Sequence, residues 1–308
     1  MTELFNAVSP SVIEAMNQLM ARDFQASEIA QAIKQMHPHT ALGPDGLPPL
    51  FYHRFWSFTS NYVIQAALGF LNHGIVPPYF NDTYIVLIPK VLNPRKITDY
   101  RPISLCNVAY KIASKAVANR LKNVLSFIVS ENQSAFTKGC FITDNVLVAF
   151  ETMHHISQKK TGKVGEMALK LDMSKAYDRV EWQCLENIMG KMGIQHKMIE
   201  VIMRCISTVT YSICINGQSR GRIVPSRGLC QGDPLSPYLF LFCAEGLSAL
   251  LHRVAERQAI HGIAMCRRAL RISHLLFADD SLVFCRATLE ECNELQRIFT
   301  LYEVALGQ

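Results

Sequence analysis

The chain lacks the spacings that build a structural metal site or a disulfide framework. Its ten cysteines are scattered from Cys106 to Cys292 without a C-x-x-C pair, and no histidine cluster stands at zinc spacing. The cysteines are therefore read as reduced. There is no internal repeat and no low-complexity tract, so organisation has to be read from periodicity and turn signals. Long charge-free apolar runs are missing too. The longest, Pro237 to Leu251, is interrupted by Glu245 and is too short to span a bilayer. No signal peptide opens the chain, and the expectation is a soluble, intracellular protein with no membrane partner.

What is present is apolar content and a local excess of positive charge. Of 308 residues, 49% are hydrophobic, enough for the core of one large domain or two ordinary ones. The net charge of +6 fits many enzymes as well as nucleic-acid binders. Its distribution says more. Lys90, Arg95, Lys96, Arg101, Lys111, Lys115, Arg120 and Lys122 stand against the single acid Asp99, so residues 85–122 carry more net positive charge than the whole chain.

Periodicity divides the chain into helices and hairpins. Ser27 is placed to cap a helix through Met36, and Gly43-Pro44-Asp45-Gly46 breaks the chain before a helical stretch to about Gly74. Thr83 to Ile88 is β-branched and aromatic and reads as a buried strand. Val108, Ile112, Ala116, Leu121, Val124 and Ile128 recur at helical spacing, which leaves Lys111, Lys115 and Lys122 on a basic face. A helix from about Asn145 to Gln158 precedes a strand, Met167 to Asp172, and two helices follow between Glu181 and Ser207. Tyr211–Ile215 and Arg222–Val224 flank Asn216-Gly217, a dipeptide that accepts the positive φ angles of a tight hairpin turn. A long apolar helix runs from Leu235 to about Gln258. His274–Phe277 and Ser281–Phe284 flank Ala278-Asp279-Asp280, and Thr288 with Glu291 forms a capping box for the last helix. The pattern is α+β with a mainly antiparallel sheet, not a doubly wound one.

Asp172 closes one predicted strand, and Asp279 and Asp280 stand at the turn of another hairpin. A lone Asp in a turn is commonplace, because its side chain satisfies local backbone groups. The apolar frame changes the balance: carboxylates at the end of a buried hairpin are costly without cations to neutralise them. Mg²⁺ takes oxygen ligands and shares carboxylates with substrate phosphates, and two such ions about 4 Å apart can serve phosphoryl transfer. Mn²⁺ fits the same ligands. Strand alternation makes Asp279 and Asp280 inequivalent.

Phe277-Ala278-Asp279-Asp280 resembles the F/Y-x-D-D box of reverse transcriptases. The run Leu171-Asp172-Met173-Ser174-Lys175-Ala176-Tyr177-Asp178-Arg179-Val180-Glu181-Trp182 is similar to the L-D-x-x-K-A-F/Y-D-x-V segment of LINE-type, non-LTR elements. Tyr100-Arg101-Pro102-Ile103-Ser104-Leu105 and Gly228-Leu229-Cys230-Gln231-Gly232-Asp233-Pro234-Leu235-Ser236-Pro237 match as well, in the family's order and spacing, with plant elements the nearest in character. The resemblance runs from about Gly43 to the last residue. It implies a right-hand fold: a helical lead-in over 1–82, fingers at about 83–165 and a palm at about 166–308, the palm sheet backed by helices. Relatives continue into a thumb where this chain stops, so a fragment without a thumb is expected.

The resemblance also implies roles. Asp172 and Asp279 would hold both Mg²⁺ ions, with Asp280 the third carboxylate and Met173 lending its backbone carbonyl. Tyr177 falls where the family excludes a ribose 2′-hydroxyl, although a core tyrosine is an equal reading. Arg101, helped by Lys90, would meet the incoming triphosphate, while Gln231 and Gly232 would lie near the nascent base pair and the nucleotide sugar. Lys175, Asp178 and Arg179 belong to the motif, but an ion pair or a cap explains them as well. The chain departs from the pattern at Thr40 and Leu42, where Lys and Pro are usual, and at Cys140 after Gly139, where Arg is common.

The implied activity is extension of a DNA primer 3′-hydroxyl on an RNA template with deoxynucleoside triphosphates, in the nucleus. One alternative is a catalytically silent relic that binds RNA or an RNA–DNA duplex. A metal-dependent nuclease ranks below both, because it has no use for Tyr177 or the Q-G box.

Overall fold

The computed structural model describes residues 2–136, 142–159, 164–266 and 270–307, so Gly139 and Cys140 lie outside the described residues. The helices are α1 (Thr2–Ala7), α2 (Glu14–Ala21), α3 (Ala26–Lys34), α4 (Pro49–Arg54), α5 (Trp56–His73), α6 (Val108–Ile128), α7 (Ile142–Gln158), α8 (Ala176–Arg179), α9 (Trp182–Lys191), α10 (His196–Ser207), α11 (Ser236–Glu256) and α12 (Leu289–Leu306). The strands are β1 (Asp82–Pro89), β2 (Tyr100–Cys106), β3 (Glu166–Asp172), β4 (Thr210–Ile215), β5 (Gln218–Ile223), β6 (His274–Phe277) and β7 (Asp280–Arg286). One sheet has the order β2-β1-β4-β5 and the other β3-β7-β6. Every named pairing is antiparallel except β1 with β4. The fold is therefore mixed α and β with antiparallel-rich sheets, in keeping with the expected α+β class.

The chain forms two compact units, interleaved in sequence. Unit 1 holds Met1–Ile13, Val124–Ile194 and Pro237–Gln308, and unit 2 holds Glu14–Asn123 and Gln195–Ser236.

In unit 2, α3 and α4 pack on α5, and the same unit holds the four-stranded sheet. The Asn-Gly turn forms as expected, with φ of +52° at Asn216 and +78° at Gly217, and it sets the β4–β5 register. The G-P-D-G box lies against the end of β2. The Asp45 amide donates to Asn107 Oδ1 at 2.9 Å, and a Cβ on Gly43 would meet the Asn107 nitrogen at 2.5 Å, so only glycine allows that approach.

Three expectations need correction in this unit. The N-cap of α3 is Gln25 rather than Ser27: the Glu28 carboxylate accepts from the Gln25 amide at 2.9 Å, which fixes the start of the helix ahead of the serine. Strand β1 is only partly buried, because the Leu87 and Ile88 end runs into the open, at 38% and 49% exposure. Nor does α6 present a basic face. Lys111 is buried and donates to the Ala41 carbonyl at 2.9 Å, Arg120 is buried among acceptors from the N-terminal helices, and Lys115 is half-buried, which lowers its pKa. Apolar spacing marks which positions face a core, but cannot show that the other face is also covered. The exposed cations of the basic region are Lys90, Arg95, Lys96, Arg101 and Lys122.

In unit 1, α7 packs on β3 and β6, and α1 lies against α9 and α12. Helix α11 is long and apolar enough, by length and composition alone, to cross a membrane, but 67% of its apolar window is buried within the protein. Leu239 through Cys243 are fully buried, as in a core helix. The expected capping box at α12 forms only by half. Thr288 Oγ1 accepts from the Glu291 amide at 3.3 Å, but the Glu291 carboxylate turns inward to the His261 and Arg286 amides, both at 2.9 Å. The nine cysteines among the described residues form no disulfide.

Candidate active site

The three-stranded sheet of unit 1 gathers the candidate acids at one end. Strands β3 and β7 pair antiparallel from Glu166↔Arg286 to Asp172↔Asp280, which makes Asp172 and Asp280 direct cross-strand partners on one face. Strand β6 pairs with β7 up to Phe277↔Asp280, leaving Ala278 and Asp279 as a two-residue turn. Asp279 thus sits in the turn and Asp280 begins the strand, the inequivalence that strand alternation requires. Ala278 carries φ of +52°, a left-handed conformation that L-residues avoid at a cost of about 1–2 kcal/mol.

The acids themselves are less buried than their apolar frame suggests, which corrects the sequence expectation. The hairpin body is buried, with Val283, Phe284 and Cys285 at 0% exposure, but Asp172 and Asp280 are exposed and Asp279 is half-buried. With two of the three carboxylates exposed, desolvation alone does not demand a cation there. Asp280 already has a counter-ion in Lys170 Nζ at 3.3 Å. Among the described residues, no group of three or more His, Cys, Asp or Glu side chains is placed to hold a metal ion. Oxygen-only donors at an open sheet end nonetheless fit Mg²⁺, which usually takes one or two carboxylates and completes its shell with water and phosphate.

Tyr177 stands next to the acids. It lies on α8, entered through Lys175 at φ +58°, and its ring stacks on Phe240 with centroids 5.1 Å apart and planes 14° from parallel. Burial, and then the charge of Asp279, push the Tyr177 hydroxyl up to about 12, so it remains a neutral donor. The ring is therefore both a core packing element and a neighbour of the acid turn.

The other candidate residues lie in unit 2, around β2. Arg101 is exposed on β2 opposite Ile88. Lys90 follows the Pro89↔Tyr100 pair, its amide donating to the Asp99 carbonyl at 2.8 Å. The Gln231 carbonyl accepts from the Ser104 amide at 2.8 Å, tying the Q-G box to the same strand. Gly232 has φ of +117°, and a Cβ there would sit 2.8 Å from the Ser104 carbonyl oxygen, so both its conformation and its close approach require glycine. Asp233 is buried beside it and accepts from Ser114 Oγ at 2.6 Å and from the Tyr110 hydroxyl at 3.2 Å.

Sequence reasoning missed the segment that supports the acid hairpin. The Leu276 amide donates to the Asn132 carbonyl at 2.7 Å, and the Ser134 amide donates to the Leu276 carbonyl at 3.3 Å, so residues 132–134 line the free edge of β6. Asn145 Nδ2 also donates to the Leu276 carbonyl, at 3.0 Å. The available signal was the polar run Glu131-Asn132-Gln133-Ser134 between two helices, which has no reason to be buried unless its side chains hold something.

His274, which opens β6, is fully buried. Asn132 Nδ2 donates to its Nε2 at 3.1 Å, Ser248 Oγ lies 2.8 Å from the same nitrogen, and Ser273 Oγ lies 2.9 Å from Nδ1. Burial, and then the charge of His252, lower its pKa to about 4. The unfolded chain then binds the proton first, so stability falls as pH drops from about 6.5 towards 4, by about 3 kcal/mol in total. Urea unfolding at pH 7 and pH 4 should show the parent losing about that much more stability than His274→Gln. A difference below about 1 kcal/mol would assign the acid sensitivity to other groups.

Residues 88–307 match the reverse transcriptase (RNA-dependent DNA polymerase) family. The chain is 27% identical over 292 residues, 94% of its length, to the transposon TX1 uncharacterized 149 kDa protein of Xenopus laevis. It is 29% identical over 252 residues, 82% of its length, to the Pol polyprotein of the retrotransposable element R2 of Nasonia vitripennis. Over 78 residues, 23% of the chain and 64% of the relative, it is 50% identical to an uncharacterized mitochondrial protein of Arabidopsis thaliana. The chain spans 22% and 23% of the lengths of the Xenopus and Nasonia proteins. With the family match covering most of its length and its relatives among R2 and TX1 elements, the chain belongs to the reverse transcriptase family, in its LINE-type, non-LTR branch.

Proposed function

We propose that the chain extends a DNA primer on an RNA template, the primer 3′-hydroxyl attacking the α-phosphate of a deoxynucleoside triphosphate with release of pyrophosphate. The observation that carries this reading is the gathering of Asp172, Asp280 and the turn residue Asp279 at one open sheet end. Asp172 and Asp279 would hold divalent ions, Mg²⁺ or Mn²⁺, with Asp280 as third carboxylate and the Met173 carbonyl beside them. Bound there, such ions supply charge neutralisation for phosphoryl transfer. The chain's own contribution is to offer acceptor oxygens that water and phosphate can reach, and to keep Tyr177 as a fixed, neutral ring where it can oppose a 2′-hydroxyl. For unit 2, the exposed cations Arg101 and Lys90 are proposed to offset triphosphate charge, and Gln231 with Gly232 to meet the nucleotide. The proposed architecture is the right hand, with a lead-in over 1–82, fingers at about 83–165 and a palm at about 166–308, acting in the nucleus.

The test is primer extension on an RNA template with deoxynucleotides and Mg²⁺ or Mn²⁺. Metal-dependent incorporation directed by the template is expected. Failure with both metals, alongside duplex binding that weakens with salt, would replace the reading with the silent relic, whose contacts would be phosphate contacts. The Asp280–Lys170 pair and the lack of a metal-holding acid cluster among the described residues are the observations that favour that second reading.

A further inference from the structure

The turn that carries Asp279 is held by a residue far away in sequence. Gln133 is 1% exposed, and its Oε1 accepts from the Ala278 amide at 3.2 Å and from the Ala135 amide at 2.9 Å. The backbone around it is fixed as well, because Gln133 forms a parallel bridge with Leu276. The side-chain carbonyl is thus anchored at both ends of its reach: through the main chain to β6, and through the oxygen to the first residue of the turn. Ala278 has φ of +52°, which an alanine leaves unless something opposes it. The glutamine oxygen is what the Ala278 amide meets, and the bond fixes the Phe277–Ala278 peptide plane from which the turn departs.

We infer that Gln133 is a positioning residue that holds the peptide plane entering the Ala278-Asp279 turn and so fixes where Asp279 presents its carboxylate; this rests on the polymerase reading for its consequence in catalysis. Asn145 supports the same strand one step back, through the Leu276 carbonyl. The glutamine touches no substrate in this role. Its loss leaves the acid in place but the turn free to relax, which should slow chemistry more than it weakens substrate binding.

The experiment uses protein labelled with ¹⁵N-alanine, in which the Ala278 amide is assigned by its disappearance in Ala278→Gly. Gln133→Met removes the acceptor at nearly equal volume, and Gln133→Glu keeps an oxygen at the same reach. In Gln133→Met, exchange of the Ala278 amide should quicken by about tenfold or more, with alanines of α6 unchanged. Incorporation should show kcat down by about tenfold or more with the nucleotide KM within about twofold, and Gln133→Glu should recover most of both. Unaltered Ala278 exchange, or a raised KM at constant kcat, would overturn the inference. Should the methionine variant not fold, Gln133→Asn draws the carbonyl back by one methylene and must give the same acceleration. If the parent extends no primer, the polymerase reading fails, while Ala278 exchange still decides whether Gln133 holds the turn.

Discussion

Asp172→Asn and Asp279→Asn should each lower primer extension by about a thousandfold or more, a loss of about 4 kcal/mol of transition-state stabilisation. Folded stability should not fall with it. Asp172 is exposed and faces Asp280 directly across the β3–β7 ladder, a like-charge pair that destabilises the sheet by a few tenths of a kcal/mol. Replacing Asp172 by the neutral amide relieves that repulsion, so its thermal midpoint should match or slightly exceed the parent's. A carboxylate kept for structure would show the reverse. Asp280→Asn should cost less activity, because Lys170 already engages its carboxylate at 3.3 Å. That ion pair is itself worth little, with the two side chains 69% and 59% exposed. Extension rates and melting curves on the same preparations check both halves. Activity within about tenfold of the parent in Asp172→Asn would remove that residue from the metal-holding set.

The parts of this arrangement that rest on local chemistry are legible in the sequence. Asn216-Gly217 determines its turn because few residues other than glycine and asparagine accept a positive φ, and the β4–β5 register follows from that turn. Asp172 ends a strand whose alternation can be counted. The strands flanking Asp279 are apolar enough to be recognised, and the glycine of the Q-G box signals a close approach that the structure finds at Ser104. What stays hidden depends on partners distant in sequence. Gln133 meets Ala278 across 145 residues, and no local pattern announces it. The two compact units interleave along the chain, whereas reading from one end to the other divides it into consecutive stretches. The burial of the hairpin can be inferred, but not the exposure of its tip, because hydrophobic spacing describes a strand and says nothing about where the sheet ends.

The charge of α6 is the clearest case of that limit, and it carries the largest expected effect on stability. Arg120 belongs to the basic stretch and stands between Ala116 and Val124 at four-residue spacing, and it is 5% exposed. Every N–H of its guanidinium is used. Nε donates to Glu28 Oε1 and Nη2 to Glu28 Oε2, both at 2.8 Å. Nη1 donates to the carbonyl of Met20 at 2.8 Å and to that of Arg22, and Nη2 reaches the Asp23 carbonyl at 3.0 Å. The guanidinium carbon lies 3.5 Å from the centroid of the Phe24 ring, in cation–π contact. Burial raises the Glu28 pKa, and the Arg120 hydrogen bonds, with the Gln25 amide, more than reverse this, so the carboxylate stays ionised and matched to the cation. One side chain therefore fastens the α2–α3 connection to α6. Arg120→Leu would leave Glu28 and three carbonyls without their donor, and should destabilise unit 2 by about 4 kcal/mol, or about 10 °C in its melting transition. Arg120→Lys should recover little, because a single ammonium cannot serve both Glu28 oxygens and three carbonyls at once. Lys122→Leu, two residues along on an exposed position, should change stability by no more than about 0.5 kcal/mol. Urea unfolding of the three variants separates these cases. Equal, small effects at both positions would mean that the Arg120 contacts exchange with water at little cost, and that the N-terminal helices are held by their apolar faces alone.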